Sequence, residues 1–269
     1  MQVEKGRLIS GRFRVPYRAY GGGSETLVCV NGAQQSMAVW RSFVAYFHEE
    51  YRVVIFDLPG QGRSTRLSGS PVATLDEQVA ALDDIVVATR QGGTVSIAGA
   101  SWGTIVTTVY AARFPDAVHK IILGGFGMRA TDVMNKLISE GRALYAENRK
   151  EDVGRLIVEH LGKQVSTAQQ HKIIEQFRSL APDKCQTFSA QCDFVVGTGD
   201  IRRLAELDRI SAKTLIINGK DDELLDPEDA RAAARQIPNC ELCFVPNVGH
   251  FLHFESKDVM GMYRDFLDE

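Results

Sequence analysis

A serine lies between two glycines in the stretch GASWG, where Gly99 precedes Ser101 and Gly103 follows it at the same spacing. An apolar run typical of a strand precedes this stretch, and a helical pattern follows it. In a strand–turn–helix of this kind, the serine occupies a sharp turn that presents its hydroxyl at the end of the sheet. The sequence therefore favours a nucleophile at Ser101 over a simple turn residue.

A serine nucleophile requires a histidine base and a carboxylate that orients the base. His250 follows one strand-like run, in NVGHFLHFES, and Asp222 follows another, in INGKDDE. The order Ser101, Asp222, His250 is the chain order that this arrangement shows when the serine lies in a strand-to-helix turn. The flanking Asp221 and Glu223 remain alternatives for the acid.

Acyl chemistry at a serine also requires donors for a developing oxyanion, usually two backbone N–H groups. Trp102 offers one at the start of a helix, where the helix dipole favours negative charge. The loop VCVNGAQQS offers a second donor at Ala33, although Asn31-Gly32 without the other site residues would favour a simple tight turn. Asn31 is also a candidate substrate contact.

Short β-branched runs alternate with amphipathic segments along most of the chain. This alternation predicts a mostly parallel sheet with helices on both faces. The predicted strands are residues 12–20, 26–30, 52–56, 94–98, 119–123, 214–218 and 241–245. The predicted helices outside the central segment are residues 38–49, 75–90, 104–114, 227–236 and 257–267.

Between Phe126 and Ile210 the alternation gives way to helical patterns alone. The predicted helical pieces are residues 132–148, 151–161, 168–180, a segment around Ser189, and 201–207. Such an insertion favours a lid over the carboxyl ends of the strands, where open α/β sheets bind ligands; the alternative is a separate helical domain. We expect a core in two parts, residues 1–124 and 213–269, with the lid formed by residues 125–212.

Apolar residues of this insertion are candidates for the wall of a substrate pocket, although such residues are more often helix-packing core. They are Met134, Leu137, Ile138, Leu144, Ile157 and Phe177.

The composition excludes several classes of function. The 269 residues carry a net charge of −3, which does not suit nucleic-acid binding. The first residues lack the apolar core of a signal peptide, and no apolar run is long enough for a membrane span, so we expect a cytoplasmic protein. The odd number of cysteines, five, indicates free thiols. Cys240 and Cys243 form a C-x-x-C that favours packing over a metal or redox role, and no metal or cofactor is expected.

Several motifs together carry a family resemblance. From about Gly11 to the C-terminus the chain resembles the α/β-hydrolase superfamily, which implies an α/β-hydrolase fold with a mostly parallel central sheet and a helical lid. Residues 57–64 resemble that superfamily's D-x-x-G-x-G-x-S loop, a structural signature. The motifs are, in chain order, VNGA, FDLPGQGRS, GASWG, INGKDDE and VGHFLHFES.

A narrower resemblance also exists. Asn31-Gly32-Ala33 stands where most hydrolases have His-Gly. The chain is similar here to the bacterial 3-hydroxyacyl-acyl-carrier-protein transferases, which it also resembles in the segments SWG, ING, EDAR, GHFL and ESK. Some members make the dimeric lipid that precedes rhamnolipids, and others pass hydroxyacyl groups to coenzyme A. By matching motif residues, the family's nucleophile, acid and base fall on Ser101, Asp222 and His250. His253 departs from the aspartate usual in that family.

The resemblance implies acyl transfer from an (R)-3-hydroxyacyl thioester of acyl carrier protein or coenzyme A, through an acyl-enzyme. A hydrolase that passes the acyl group to water uses the same residues, and a ligand-binding protein without catalysis uses none of them together. Acyl carrier protein is acidic, so a basic entrance is expected if it is the donor. Candidates are Arg63, Arg66, Arg129, Arg142, Arg202 and Arg203.

Overall fold

Strands β1 to β9 form a single sheet in the computed structural model, which describes residues 3–92 and 95–269. Thr94, the first residue of one predicted strand, lies outside the described residues. The strands are β1 (Val3–Ser10), β2 (Phe13–Tyr20), β3 (Thr26–Val30), β4 (Arg52–Phe56), β5 (Thr65–Arg66), β6 (Val95–Ala100), β7 (Val118–Gly124), β8 (Lys213–Gly219) and β9 (Cys240–Val245).

Helices connect most of these strands. They are α1 (Arg41–Phe47), α2 (Leu75–Thr89), α3 (Trp102–Arg113), α4 (Asp132–Ala146), α5 (Lys150–Leu161), α6 (Thr167–Arg178), α7 (Pro182–Thr198), α8 (Pro227–Ala234) and α9 (Asp258–Asp268). The predicted helix at residues 201–207 is wrong, because two short 3₁₀ turns, Ile201–Arg203 and Leu207–Arg209, stand there instead.

The strand order is β1-β2-β4-β3-β6-β7-β8-β9, with β5 paired to β2. From β4 to β9 all neighbours are parallel, whereas β1, β2 and β5 pair antiparallel at one edge. The prediction of a mostly parallel sheet is confirmed. The prediction did not include β1 or β5; β1 is a largely exposed edge strand with charged residues along it, so it lacks the apolar run of a buried strand.

Helices cover both faces of the sheet and pack against its apolar residues. The five residues of β3 are all buried, as expected for a central parallel strand covered on both sides. One face packs against α2, α3 and α8, and the other packs against α1 and α9. The prediction of helices on both faces is confirmed.

The parallel strands bring their carboxyl ends to the same edge of the sheet. Helices α4 to α7 lie between β7 and β8, and within the described residues this segment contains no strand. Its helices pack on one another, and the backbones of α5 and α6 come so close that a Cβ added at Gly154 would lie 2.7 Å from Ile174 Cα. The division at residues 124 and 212 stays a prediction.

The structure also bears on the C-x-x-C pair and on the expectation of no membrane span. Cys240 and Cys243 lie on β9 with opposite orientations, since Cys240 packs against the core on one face of the sheet and Cys243 against the core on the other. Their side chains therefore cannot share a ligand. Across residues 3–92 and 95–269, every helix is too short or too polar to cross a membrane.

Candidate active site

The turn between β6 and α3 holds Ser101 in a backbone conformation that side chains rarely adopt, with φ 51° and ψ −118°. The chain can make this turn because Gly99 and Gly103 lack side chains. A Cβ at Gly99 would lie 2.6 Å from Thr107 Oγ1, and one at Gly103 would lie 2.3 Å from the carbonyl oxygen of Val30. The two glycines thus let β6, β3 and α3 come close enough to hold Ser101 in place.

We expect Gly103→Ala to lower the free energy of unfolding by about 1–3 kcal/mol, since the new methyl group would overlap the backbone of β3. Gly261→Ala on α9 is the matched control: a Cβ there meets nothing within 4 Å. Alanine in a helix should then stabilise by about 0.5–1 kcal/mol. Urea unfolding of both variants measures the effects, and equal free energies of unfolding would contradict this account of the turn.

A chain of hydrogen bonds joins Ser101, His250 and Asp222. Ser101 Oγ lies 2.9 Å from His250 Nε2, and His250 Nδ1 lies 2.7 Å from Asp222 Oδ2. The other oxygen of Asp222 accepts a hydrogen bond of 3.0 Å from the N–H of Leu224. The side chains of His250 and Asp222 are only 6% and 1% exposed. The structure therefore brings together the three residues that the sequence singled out.

The two alternative acids lie elsewhere. Asp221 accepts a hydrogen bond of 3.0 Å from Gln164, and Glu223 forms an ion pair of 2.7 Å with Lys163. Within the described part of the chain, Asp222 is thus the one of the three acids that contacts the His250 ring.

Glu255 holds the loop that carries His250, a contact that the sequence analysis did not predict. Its carboxylate accepts hydrogen bonds from the N–H groups of Gly249 and Phe251, the residues on either side of His250. Glu255 follows His250 by five residues, so only the tight turn at Leu252–Phe254 brings it back to this loop. Spacing alone gives no signal for this contact.

The environment of His250 has opposing effects on its pKa. Burial favours the neutral ring and lowers the pKa, whereas the charge of Asp222, its hydrogen bond and the charge of Glu255 favour the protonated ring. The second group of effects is larger in sum, so the pKa lies above its ordinary value of 6.5. The imidazole is therefore a stronger base than an isolated histidine.

The loop after β3 adjoins Ser101. It contains Asn31, which the sequence suggested as a substrate contact and which the structure places elsewhere. Asn31 is fully buried; its Nδ2 donates to the carbonyl oxygen of Phe56 at 3.1 Å, and its Oδ1 accepts from Trp40 Nε1 at 2.9 Å. Both ends of its amide are engaged, and it lines neither cavity at Ser101. Asn31 fixes the loop and is not placed to contact a substrate.

Ala33 and Trp102 are the two predicted backbone donors. Both residues line a cavity together with Ser101, and neither N–H donates a hydrogen bond to any other described residue. The Trp102 indole lies in the core, where its Nε1 donates to Gln78 at 2.7 Å. The role of these N–H groups toward an oxyanion stays a prediction.

Two cavities meet at Ser101 and His250. The first cavity, of about 190 Å³, extends between α4, α5 and α7, and its walls are mostly apolar. The second cavity, of about 500 Å³, extends between the loop after β3, α6 and the segment that follows His250.

The predicted pocket residues divide between these cavities. Met134, Leu137 and Ile138 line the first cavity, Phe177 lines the second, and Ile157 lines both. Leu144 lines neither.

Two of the six arginines predicted for a basic entrance line a cavity at Ser101, and the entrance stays a prediction. None of the six lines the second cavity, the larger of the two. Arg129 and Arg142 line the first cavity but pair with Asp229 at 2.9 Å and Asp193 at 2.8 Å. Arg202 pairs with Asp200.

Comparisons with known proteins agree with this fold. The model of the alpha/beta hydrolase fold family matches residues 25–257. The chain is 24% identical to the (R)-3-hydroxydecanoyl-ACP:CoA transacylase of Pseudomonas putida, over 96% of this chain and 88% of that protein. It is 26% identical to the pimeloyl-[acyl-carrier protein] methyl ester esterase of Nitrosomonas europaea, over 88% of this chain and 94% of that protein.

A solved structure has the same fold. An alpha/beta hydrolase enzyme from a Medee basin deep-sea metagenome library superposes with a TM-score of 0.84 and 18% identity, covering 98% of each chain. Since the family model matches most of the sequence, the chain belongs to the alpha/beta hydrolase fold family.

Proposed function

We propose that the protein transfers acyl groups from (R)-3-hydroxyacyl thioesters through an acyl-enzyme on Ser101. The observation that carries this proposal is the hydrogen-bond chain from Ser101 Oγ through His250 to Asp222, at 2.9 and 2.7 Å, where an apolar cavity opens. An activated serine beside an apolar cavity suits a carbonyl that carries an aliphatic chain.

In the first half of the reaction, Ser101 Oγ attacks the carbonyl carbon of the thioester while His250 Nε2 takes the hydroxyl proton. The N–H groups of Ala33 and Trp102 donate to the oxyanion of the tetrahedral intermediate. The carbon–sulfur bond then breaks, and the departing sulfur receives the proton from His250. Asp222 keeps the imidazole in the required tautomer and stabilises its protonated form.

In the second half, an acceptor hydroxyl or thiol attacks the acyl-Ser101 ester. His250 takes the proton of the acceptor and returns a proton to Ser101 Oγ as the ester bond breaks. The first cavity holds the acyl chain against Met134, Leu137 and Ile138, with the segment 125–212 acting as a lid that excludes water.

A cytoplasmic location stays a prediction.

The substrate class is supported by the relatives. The similar Pseudomonas putida protein is a hydroxydecanoyl-ACP:CoA transacylase, and the similar Nitrosomonas europaea protein is an esterase whose substrate is also carried on acyl carrier protein. The esterase makes hydrolysis the second candidate, since both reactions start from the same acyl-enzyme. Acyl carrier protein is proposed as the donor's carrier in either case.

Product analysis distinguishes the two reactions. We expect 3-hydroxydecanoyl carrier-protein thioester, incubated with the protein and free coenzyme A, to yield 3-hydroxydecanoyl-CoA or, by transfer to a second hydroxyacyl chain, an acyl ester. Mass spectrometry identifies each product. Free 3-hydroxydecanoic acid as the sole product would contradict the transferase proposal and leave the hydrolase.

The pH dependence of kcat/KM should report the base. Protonated His250 cannot accept the Ser101 proton. The value of kcat/KM is therefore at its maximum above the pKa of His250 and falls as the pH drops through that pKa. Because that pKa is raised, we expect the midpoint of the acid limb above pH 6.5. Asp222→Asn should move the midpoint down. A profile that is flat between about pH 5 and 9 would contradict a histidine base.

A further inference from the structure

The second cavity differs from the first in its charges. Arg41 and Lys172 line it, both are exposed, and neither forms an ion pair with any described residue. No aspartate or glutamate of the described residues lines this cavity. In the first cavity, by contrast, Arg129 and Arg142 are neutralised by carboxylates. The second cavity therefore presents net positive charge to an entering ligand.

A half-buried polar side chain with a buried, unpaired ring nitrogen also lines the second cavity. His253 stacks on Trp40 with ring centroids 5.6 Å apart, and its buried Nε2 hydrogen bonds to no other described residue. Burial lowers its pKa to about 4, so at neutral pH the ring carries no charge and has one donor and one acceptor. An unpaired buried polar group costs free energy that a ligand can recover by hydrogen bonding to it.

Polar amides and aromatic rings line the second cavity in addition to aliphatic residues. Gln35, Gln169 and Gln176 line it, together with Phe251 and Phe254. It is larger than the first cavity, about 500 against about 190 Å³. Ser101 and His250 line both cavities, so a thioester whose carbonyl lies at Ser101 extends its acyl half into one and its thiol half into the other.

We propose that the second cavity is the channel for the phosphopantetheine arm of the thioester, with Arg41 and Lys172 facing its phosphate and His253 hydrogen bonding to its amide or hydroxyl groups. This arm is long and polar, and it ends in a negative charge, which matches the second cavity and not the first. Coenzyme A and acyl carrier protein share the arm. The inference rests on the proposed function, because it assigns the thiol half of the proposed substrate.

Binding without turnover tests the cations. In a Ser101→Ala background, calorimetry gives the Kd of coenzyme A and of pantetheine, which lacks the phosphates and the adenosine of coenzyme A. We expect R41Q/K172Q to raise the Kd of coenzyme A about three- to ten-fold at low salt, as for exposed charge pairs, and that of pantetheine by less. The matched control is K5Q/R235Q, which removes two exposed cations that do not line the second cavity and should alter neither Kd.

The role of His253 needs a separate pair of variants. His253→Phe keeps the aromatic packing and removes both nitrogens, so we expect the Kd of pantetheine to rise about ten-fold. His253→Gln restores a donor and an acceptor and should recover part of the loss. Thermal unfolding checks that both variants fold; the phenylalanine variant should be at least as stable as the parent, since it no longer buries an unpaired polar atom.

Kinetics with 3-hydroxydecanoyl-CoA and 3-hydroxydecanoyl carrier-protein then distinguish the two sources of the arm. If KM rises in R41Q/K172Q for one thioester only, that carrier is the substrate. Equal responses of coenzyme A and pantetheine, or of R41Q/K172Q and its control, would overturn the channel. Acyl transfer with coenzyme A binding unaffected would overturn the channel but keep the proposed function. If binding depended on the two cations but no acyl transfer occurred, the proposed function would be overturned and the channel would be kept.

Discussion

Replacing Ser101 with alanine is expected to lower kcat for 3-hydroxyacyl thioesters by about 10⁴-fold or more, since the variant can form no acyl-enzyme. Ser101 Oγ is the group that His250 contacts at 2.9 Å, and no other hydroxyl of the described residues contacts that ring. Single-turnover assays with purified protein measure the loss.

Ser68→Ala is the matched control, because Ser68 is exposed and lines neither cavity. It should keep kcat within about three-fold of the parent, as for substitutions that touch no special feature. If Ser101→Ala were as active as the parent, the protein would be a ligand-binding member of the fold or would use another nucleophile.

Replacing Asp222 with asparagine is expected to lower kcat by about 10²- to 10⁴-fold while the protein stays folded. The amide keeps the shape of the carboxylate but cannot stabilise protonated His250, and its NH₂ group favours the wrong tautomer. The short contact of 2.7 Å and the almost complete burial of Asp222 make this effect large.

Its neighbours provide the controls. Asp221→Asn and Glu223→Gln alter carboxylates that bond to Gln164 and Lys163 at the surface, so each should change kcat by less than about three-fold. A loss at Asp221 or Glu223 that equals the loss at Asp222 would contradict the assignment of the acid.

Much of the core was predictable because local patterns decide it. The central strands β3 and β4 are continuous apolar runs, and GASWG sits between such a strand and a helix, so sequence pattern and tertiary environment agree. Asp222 and His250 each follow a parallel strand, and the carboxyl ends of parallel strands meet at one edge. Their proximity to Ser101 follows from the topology.

Other features depend on contacts between distant parts of the chain. Asn31 contacts Phe56 and Trp40, so its burial cannot be read from the loop that contains it. Glu255 contacts the backbone around His250 only through a tight turn. Lys172 lies on an amphipathic helix like any surface lysine, and only the packing of α6 places it at the second cavity.

The most direct test of acyl transfer through Ser101 is mass spectrometry of the intact protein after brief mixing with 3-hydroxydecanoyl carrier-protein thioester. We expect one hydroxydecanoyl adduct, located on the peptide that contains Ser101, and its loss with formation of 3-hydroxydecanoyl-CoA or an acyl ester when the acceptor is added. An adduct on another residue, or transfer by the Ser101→Ala variant, would contradict the proposed acyl-enzyme.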